Sequence, residues 1–302
     1  MDIKPRKGED LLKLENKLAN YQGDDRIVSS HDLALELEKT KGSCFGLKTA
    51  VPSLDRLLDG VEAGELVLVT GPTGEGKTTL LMTITRNMAE SNINSCWFTL
   101  EVTPRQFLTK LVTGGNKLPL FYLPNQNIEN HIVWLEERII EAKVKYDTKV
   151  VFIDHIHSIF SLSRVSQNIS LEIGDLVAKI KDLAIRHNLI IFLIAHCKDD
   201  PMGTNREPRK EDIRDSGLIS RLADTIIGVW RVTNDDDGSP TKSGKRKTIE
   251  EGDNRSKVRV LKNRRTGKLG TLIMQHQDHY LTELDTRSSG FEDFKPNTNY
   301  AD

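Results

Sequence analysis

Two kinds of apolar run alternate along this chain from residue 50 onward. Short continuous runs at 65–70, 95–100, 149–153 and 189–195 read as strands buried on both faces. Between them apolar residues return every three or four positions, which predicts helices from residue 79, over 104–112, over 129–145 and over 171–187. Further strands are expected at 225–230 and 257–261, with 270–275 and 280–284 completing a meander. Such alternation predicts an α/β fold, a mostly parallel sheet covered by helices. Functional groups then belong just past the carboxyl ends of the strands.

The flanks differ. Residues 1–30 are polar, with a short helical stretch carrying Leu11, Leu12, Leu14 and Leu18. Residues 31–40 predict an amphipathic helix with Leu33, Leu35 and Leu37, and 42–46 reads as a linker. That helix can cover the core of its own chain or dock on a neighbouring subunit, and an apolar stripe fits both. The segment 233–255 reads as a long disordered insertion between two strands, and 285–302 as a flexible polar tail. The division is therefore a linker and helix over 1–45, one domain over 46–284, and the tail. No internal repeat is present, which excludes a duplicated two-domain arrangement.

Composition narrows the picture modestly. The 302 residues are 37% hydrophobic and 29% charged, ample for one large domain with a sizeable core. Formal net charge is −1, so any nucleic-acid site has to be a local patch. Cys44, Cys96 and Cys197 are far apart and form no C-x-x-C, which argues against disulfide or zinc frameworks and for a reducing compartment. The longest apolar run is too short to span a bilayer, and the amino terminus lacks the apolar stretch of a signal peptide. A cytoplasm is expected, that of a host cell if the chain is phage-encoded, with an organellar matrix also compatible.

The chemistry concentrates at four strand ends. Gly71-Pro72-Thr73-Gly74-Glu75-Gly76-Lys77-Thr78, followed by Thr79, fills the pattern G-x-x-x-x-G-K-[ST] between a strand and a helix. Glycines let the backbone turn its N–H groups inward, and the helix N-terminus adds partial positive charge. Lys77 can reach the β- and γ-phosphates of a nucleotide, and the Thr78 hydroxyl can hold Mg²⁺. Asp154 ends the strand Val150-Val151-Phe152-Ile153 and suits Mg²⁺ as well. Glu101 ends the neighbouring strand and can orient or deprotonate an attacking water. His196 ends a buried strand beside the expected γ-phosphate and can sense it. His155 and His157 form an Asp-His-x-His string with no third soft ligand nearby in sequence, so they read as loop histidines at the mouth of the site.

Basic residues follow. The loop after Cys197 carries Lys198, Arg206, Arg209 and Lys210, and Asp212-Ile213-Arg214-Asp215-Ser216-Gly217 opens a helix. Lys262-Asn263-Arg264-Arg265-Thr266-Gly267-Lys268 reads as a basic turn between two strands. It can serve solubility or project an arginine into a neighbour's active site.

In this order these strings resemble the RecA-like motor domain of ring-shaped replicative helicases, which include the DnaB type, the phage primase-helicases and mitochondrial Twinkle. The likeness covers about residues 45–284 and is nearest to the phage and mitochondrial branch in 153–156, 212–217, 261–267 and His196. The resemblance implies ATP and Mg²⁺ as cofactors, a homohexamer, and single-stranded DNA in its channel. It further implies Glu101 as base, Asp154 as the Walker B acid, His196 as phosphate sensor, Arg264 as a finger acting on the next subunit, and Lys262 as its companion. Arg265 is adjacent and can take the finger role instead. Lys198, Arg214 and Gly217 fall in the family's DNA-contacting loops. A separate primase and polymerase are the expected further partners.

The departures are equally specific. No primase or zinc-binding region precedes the motor, and the amino-terminal segment is short for the usual DnaB-type domain. No aromatic residue stands where the base is often stacked; His276 or Gln277 lies there, with Arg231 as a candidate partner. The competing expectation is a RecA- or KaiC-like ATPase working in recombination or helicase loading without unwinding.

Overall fold

A computed structural model describes residues 8–23, 26–39, 46–112, 117–126, 132–156, 169–197, 207–213, 216–232, 254–277 and 279–284. Of the insertion expected over 233–255, residues 233–253 lie outside these residues, as do the tail over 285–302, Lys198 and Arg214, while Arg255 already belongs to a strand. Contacts divide the chain into two units, Met1–Phe45 and Gly46–Asp302.

The first unit holds helices α1 (Gly8–Ala19) and α2 (Ser30–Lys39). Ser29 caps α2 through a 3.0 Å bond from the Asp32 N–H to its hydroxyl, which satisfies one of the donors a helix start leaves open. Leu12, Leu18 and Leu35 are exposed.

The second unit is built on eight strands in the order β2-β3-β4-β1-β5-β6-β7-β8. Strands β1 (Leu66–Gly71), β2 (Ser95–Thr99), β3 (Val150–Asp154), β4 (Ile190–His196) and β5 (Thr225–Arg231) pair in parallel. Strands β6 (Arg255–Asn263), β7 (Gly270–Gln277) and β8 (Tyr280–Glu283) add to β5 as antiparallel ribbons. Side-chain alternation splits each apolar run between two cores. Val67, Val69, Trp97, Phe152, Phe192 and Ile194 face one side; Leu66, Leu68, Phe98, Val151, Ile153 and Leu193 face the other. Each face is covered by helices, so β1 to β5 carry no polar face and read as continuous apolar runs.

Helix α4 (Lys77–Glu90) covers the first face with Leu80, Leu81, Ile84 and Met88. Beneath it Trp97 stacks on Phe152 at 4.9 Å and Phe152 on Phe192 at 5.1 Å, binding β2, β3 and β4 across their width. The Trp97 indole N–H donates to Thr85 Oγ1 at 2.9 Å, which satisfies the one polar atom of that stack. Helices α6 (Ile132–Tyr146) and α7 (Ile169–Arg186) cover the second face. The remaining α-helices of this unit among the described residues are α3 (Pro52–Leu58), α5 (Pro104–Val112) and α8 (Ser216–Leu222).

Three local readings change. Helix α3 stands where no element was expected. Its signal is a proline in the first turn and Leu54 and Leu58 one turn apart, with Asp55 accepting the Thr49 and Ala50 N–H groups at 2.7 and 3.0 Å. Strand β6 runs to Asn263, so Lys262 and Asn263 belong to the ladder and the turn proper is Arg264 to Thr266. Helix α4 starts at Lys77 itself.

Gly71 is the tightest point of the sheet. It has φ +148°, and a Cβ there would lie 2.0 Å from the Val229 carbonyl oxygen on β5. Gly71→Ala is expected to lose about 2–4 kcal/mol of unfolding free energy through strain and overpacking together. Urea unfolding followed by circular dichroism measures it.

Candidate active site

Strand β1 delivers the chain to the loop Gly71–Thr78, and three glycines shape that loop. Gly71, Gly74 and Gly76 all have positive φ, the last at +105° as the residue before α4. Lys77 is buried, and its ammonium donates to the carbonyls of Gly71 at 2.9 Å and Pro72 at 2.7 Å. Burial pulls its pKa down; Cys197, Asp154, Glu75 and Glu101 oppose that shift. A buried cation held by two carbonyls of its own loop has donor capacity aimed where an anion bound by the loop would sit.

The next strands bring the acids. The Thr78 hydroxyl donates to Asp154 Oδ2 at 2.7 Å, joining the start of α4 to the end of β3. Burial pushes the Asp154 carboxyl up from its ordinary range, and the Thr78 bond and His155 pull it partly back. Glu101 lies two residues past β2, more than half exposed, with Oε2 3.3 Å from His155 Nδ1. The His155 ring in turn meets His196 edge-on at 4.3 Å between centroids. A cleft of about 310 Å³ opens between Thr78, Thr79, Glu101 and Asp154, with Lys110 and His279 on its rim. Cys197 Sγ sits 3.4 Å from Thr70 Oγ1, and burial raises its thiol pKa.

The other flank of the loop is held by Glu75. Its Oε2 accepts the Arg231 N–H at 2.6 Å and its carbonyl accepts the Ser256 hydroxyl at 3.2 Å. Ser256 also bonds His276 Nε2 at 2.8 Å, and a Cβ on Gly76 would meet the His276 ring at 3.1 Å. Burial, with Arg231 beside it, lowers the His276 pKa to about 4, so the ring is neutral at pH 7. Arg231 and His276 thus come together against the loop, and Gln277 ends β7 further out.

Lys262, Arg264 and Arg265 go to the opposite edge. Strand β5 enters the sheet at Thr225, whose cross-strand partner is Asn263, and Thr225 aligns with Val67 near the start of β1. The turn therefore lies more than about 13 Å from Gly71 along the strand direction, counting from Val67 to Gly71 at about 3.3 Å per residue. Arg264 donates to Asp224 Oδ1 at 3.0 Å and to the Arg221 carbonyl at 2.6 Å, yet keeps 54% of its side chain exposed. Lys262 donates to the carbonyls of Ser220 at 2.7 Å and Ala223 at 2.6 Å, closing the end of α8. Burial and then Arg264 lower its pKa. Arg265 is held by the carbonyls of Leu58 at 2.7 Å and Gly60 at 2.5 Å and by Glu65 at 3.2 Å. Gly217 is exposed near the start of α8, and a Cβ there would meet nothing within 4 Å.

One sequence reading is corrected here. His155 is not an isolated loop histidine without a third partner. Its donor atom, one from Glu101 and one from His196 all lie within 4.8 Å of one another. The third group comes from β4, beyond the crossover helix α7, which local spacing does not reveal. His157 lies outside the described residues. Ser256 and Asp224 had no assigned part either. Ser256 carries only the signature of a buried position in an alternating strand. Asp224 accepts from the Leu66 N–H at 2.9 Å and from the Lys181 ammonium, and so joins β1, α7 and Arg264.

The model of the DnaB-like helicase C terminal domain matches this chain over residues 46–134 and 118–283. Replicative DNA helicase DnaC of Bacillus subtilis is 21% identical over 299 residues, covering 90% of this chain and 63% of that protein. Replicative DNA helicase DnaB of Geobacillus stearothermophilus is 22% identical over 284 residues, covering 85% of this chain and 60% of that protein. The chain spans about three fifths of the length of these curated relatives. Among solved structures, an ATPase domain has a TM-score of 0.70 at 16% identity, covering 86% of this chain and 100% of that one. A DnaB-like replicative helicase, solved with its interactions with primase, has a TM-score of 0.67 at 17% identity over 92% of this chain and 72% of that one. These likenesses establish the RecA-like sheet arrangement.

The raised Asp154 pKa has a thermodynamic consequence. Its folded-state value lies above its unfolded value, so the stability it lends is full below the unfolded pKa and is lost as pH rises through the folded one. Above the unfolded carboxyl pKa this burial works against folding. Asp154→Asn keeps an acceptor for Thr78 and is expected to raise the melting temperature of the nucleotide-free protein by roughly 2–4 °C at pH 7. At a pH below the unfolded carboxyl pKa that gain should vanish. Calorimetric scans of both proteins across the acid range measure it.

Proposed function

The chain belongs to the DnaB-like helicase C-terminal domain family, and from that membership we propose that it is the ATP-driven motor of a ring-shaped replicative DNA helicase. One observation carries the reading. Lys77, Thr78, Glu101, Asp154 and His196 converge at the carboxyl edge of the sheet, whereas Arg264 stands at the other edge, a full strand length away. An exposed arginine in that position cannot serve its own loop, but it can face the loop of the next copy in a ring. Arg265 is committed to three carbonyls and two carboxylates, so the finger role falls to Arg264.

The residues fit the cofactors. Thr78 Oγ1 and Asp154 Oδ2 are hard oxygen donors side by side, the set Mg²⁺ prefers. The loop 71–78 with Lys77 cradles phosphates at a helix start. Bound Mg²⁺–ATP supplies the transferable γ-phosphoryl group. Glu101 orients the attacking water, His196 reports the terminal phosphate to the chain that follows, and Lys262 holds the carbonyl end of α8 beside Arg264. Neutral His276 and Arg231 form the flank available to the nucleotide base.

Single-stranded DNA is the proposed track, contacted by Lys198, Arg214 and the exposed Gly217. Helix α2 supplies the apolar stripe for docking between copies, and 46–284 forms the motor. A separate primase and polymerase complete the partners, and the strings at 153–156 and 261–267 favour the phage and mitochondrial branch. No helix among the described residues is long and apolar enough to cross a membrane; the proposed site of action is the cytoplasm.

The tests separate these roles. Hydrolysis of ATP should rise with single-stranded DNA and accompany strand separation. Lys77→Ala should remove both. Arg264→Ala should still bind nucleotide while hydrolysis falls by about 10³–10⁵. Arg265→Ala should lower the melting temperature instead. Neutralising Lys198 or Arg214 should reduce the salt slope of DNA binding by about 0.7 each. Full DNA-stimulated hydrolysis in Arg264→Ala defeats the finger assignment, and hydrolysis without strand separation favours a RecA-like ATPase that does not unwind.

A further inference from the structure

We propose that Glu101, His155 and His196 form a binding site for a zinc-class divalent cation, separate from the Mg²⁺ donors Thr78 and Asp154, and that filling it stops hydrolysis without displacing nucleotide. The inhibitory half rests on the ATPase reading; the binding half does not.

Sheet order creates the site. β2, β3 and β4 are consecutive neighbours, about 4.8 Å apart, and all end at one edge. Glu101 follows β2, His155 follows β3, and His196 closes β4. Each contributes one donor atom, and the three atoms lie within 4.8 Å of one another. His155 Nδ1 and Glu101 Oε2 are 3.3 Å apart. Tetrahedral zinc with bonds of about 2.0–2.1 Å holds its ligand atoms about 3.3 Å apart. One pair is therefore already at the required separation. Glu101 is 57% exposed, so rotation of its side chain is the movement that would bring the three donors to that spacing.

Ligand chemistry separates the two cations. Two imidazoles and one carboxylate, with water in the fourth position, are a zinc-type set. Magnesium requires near-octahedral oxygen ligands and does not favour imidazole. Its donors here, Thr78 and Asp154, are not among the three. The charges around Lys77 include Glu75, Glu101 and Asp154, so the edge favours added positive charge despite that ammonium. Glu101 and His196 are the groups assigned to the attacking water and the terminal phosphate. A cation that takes both leaves the loop 71–78 free to hold nucleotide but removes the base.

The probe is Co²⁺, added to the untagged 302-residue chain after chelator treatment and without nucleotide. One equivalent should bind with the visible absorption of four-coordinate cobalt, and Zn²⁺ should displace it. His155→Asn and Glu101→Gln should each weaken binding by about tenfold or more, the scale on which such sites respond to lost ligand support, while Cys197→Ser should leave the spectrum unchanged. Zn²⁺ at the occupancy so defined should suppress wild-type ATP hydrolysis while the affinity for a fluorescent ATP analogue holds. In His155→Asn the ratio of rates with and without Zn²⁺ should return to near one. Unchanged cobalt binding in both ligand variants overturns the site, as does a signal lost in Cys197→Ser alone. Zn²⁺ that displaces nucleotide overturns the inhibitory mode. A chain that binds Co²⁺ as described but hydrolyses no ATP upholds the site and defeats the ATPase reading.

Discussion

Five strands, β2-β3-β4-β1-β5, run in one direction, so all their carboxyl ends share one edge of the sheet. Every candidate catalytic group at the phosphate loop follows from that pairing. Lys77 follows β1, Glu101 follows β2, Asp154 ends β3 with His155 just beyond it, and His196 ends β4. Consecutive strands β2, β3 and β4 thereby bring donor atoms of Glu101, His155 and His196 within 4.8 Å of one another. The stack of Trp97, Phe152 and Phe192 packs these three strands together beneath α4. Packing and chemistry are thus the same constraint seen on two levels.

The antiparallel strands do the reverse job. Because β6 runs back along β5, its turn emerges at the amino edge, where Asp224 ties Arg264 to the start of β1 and Lys262 closes α8. The chain therefore carries the glycine loop with Lys77 at one edge and an exposed arginine at the other. Closed assembly of identical copies brings such unlike edges together, since a head-to-tail contact that closes forms a ring. Buried positions at the acceptor edge are costly on their own: Lys77 and Asp154 are both shifted against their charged forms by burial. An anion beside Lys77 and a cation beside Asp154 would relieve those shifts.

Much of this is legible in the residue order. Continuous apolar runs mark the two-sided strands, because each is buried on both faces, and the glycine loop with Lys77 stands out for its spacing. Helix α3 escapes a reading by periodicity because seven residues give too short a period, and its proline and Asp55 are cap signals rather than stripe signals. The end of β6 reads short because Lys262 and Asn263 look like turn residues; they are ladder residues whose polar ends reach carbonyls of α8 and α3. The choice between Arg264 and Arg265 depends on which one the backbone consumes, and adjacent arginines are alike in sequence. The contact of His155 with Glu101 and His196 depends on strand order, which the runs alone do not specify.

The central claim is that each ATP site is completed by another copy of the chain. The most direct test follows ATP hydrolysis per subunit across protein concentration, with assembly mass measured on the same samples in Mg²⁺ and nucleotide. If the claim holds, the rate per subunit rises in step with the ring population and is near zero where the chain is monomeric. A monomer that hydrolyses ATP at the full per-subunit rate would contradict it.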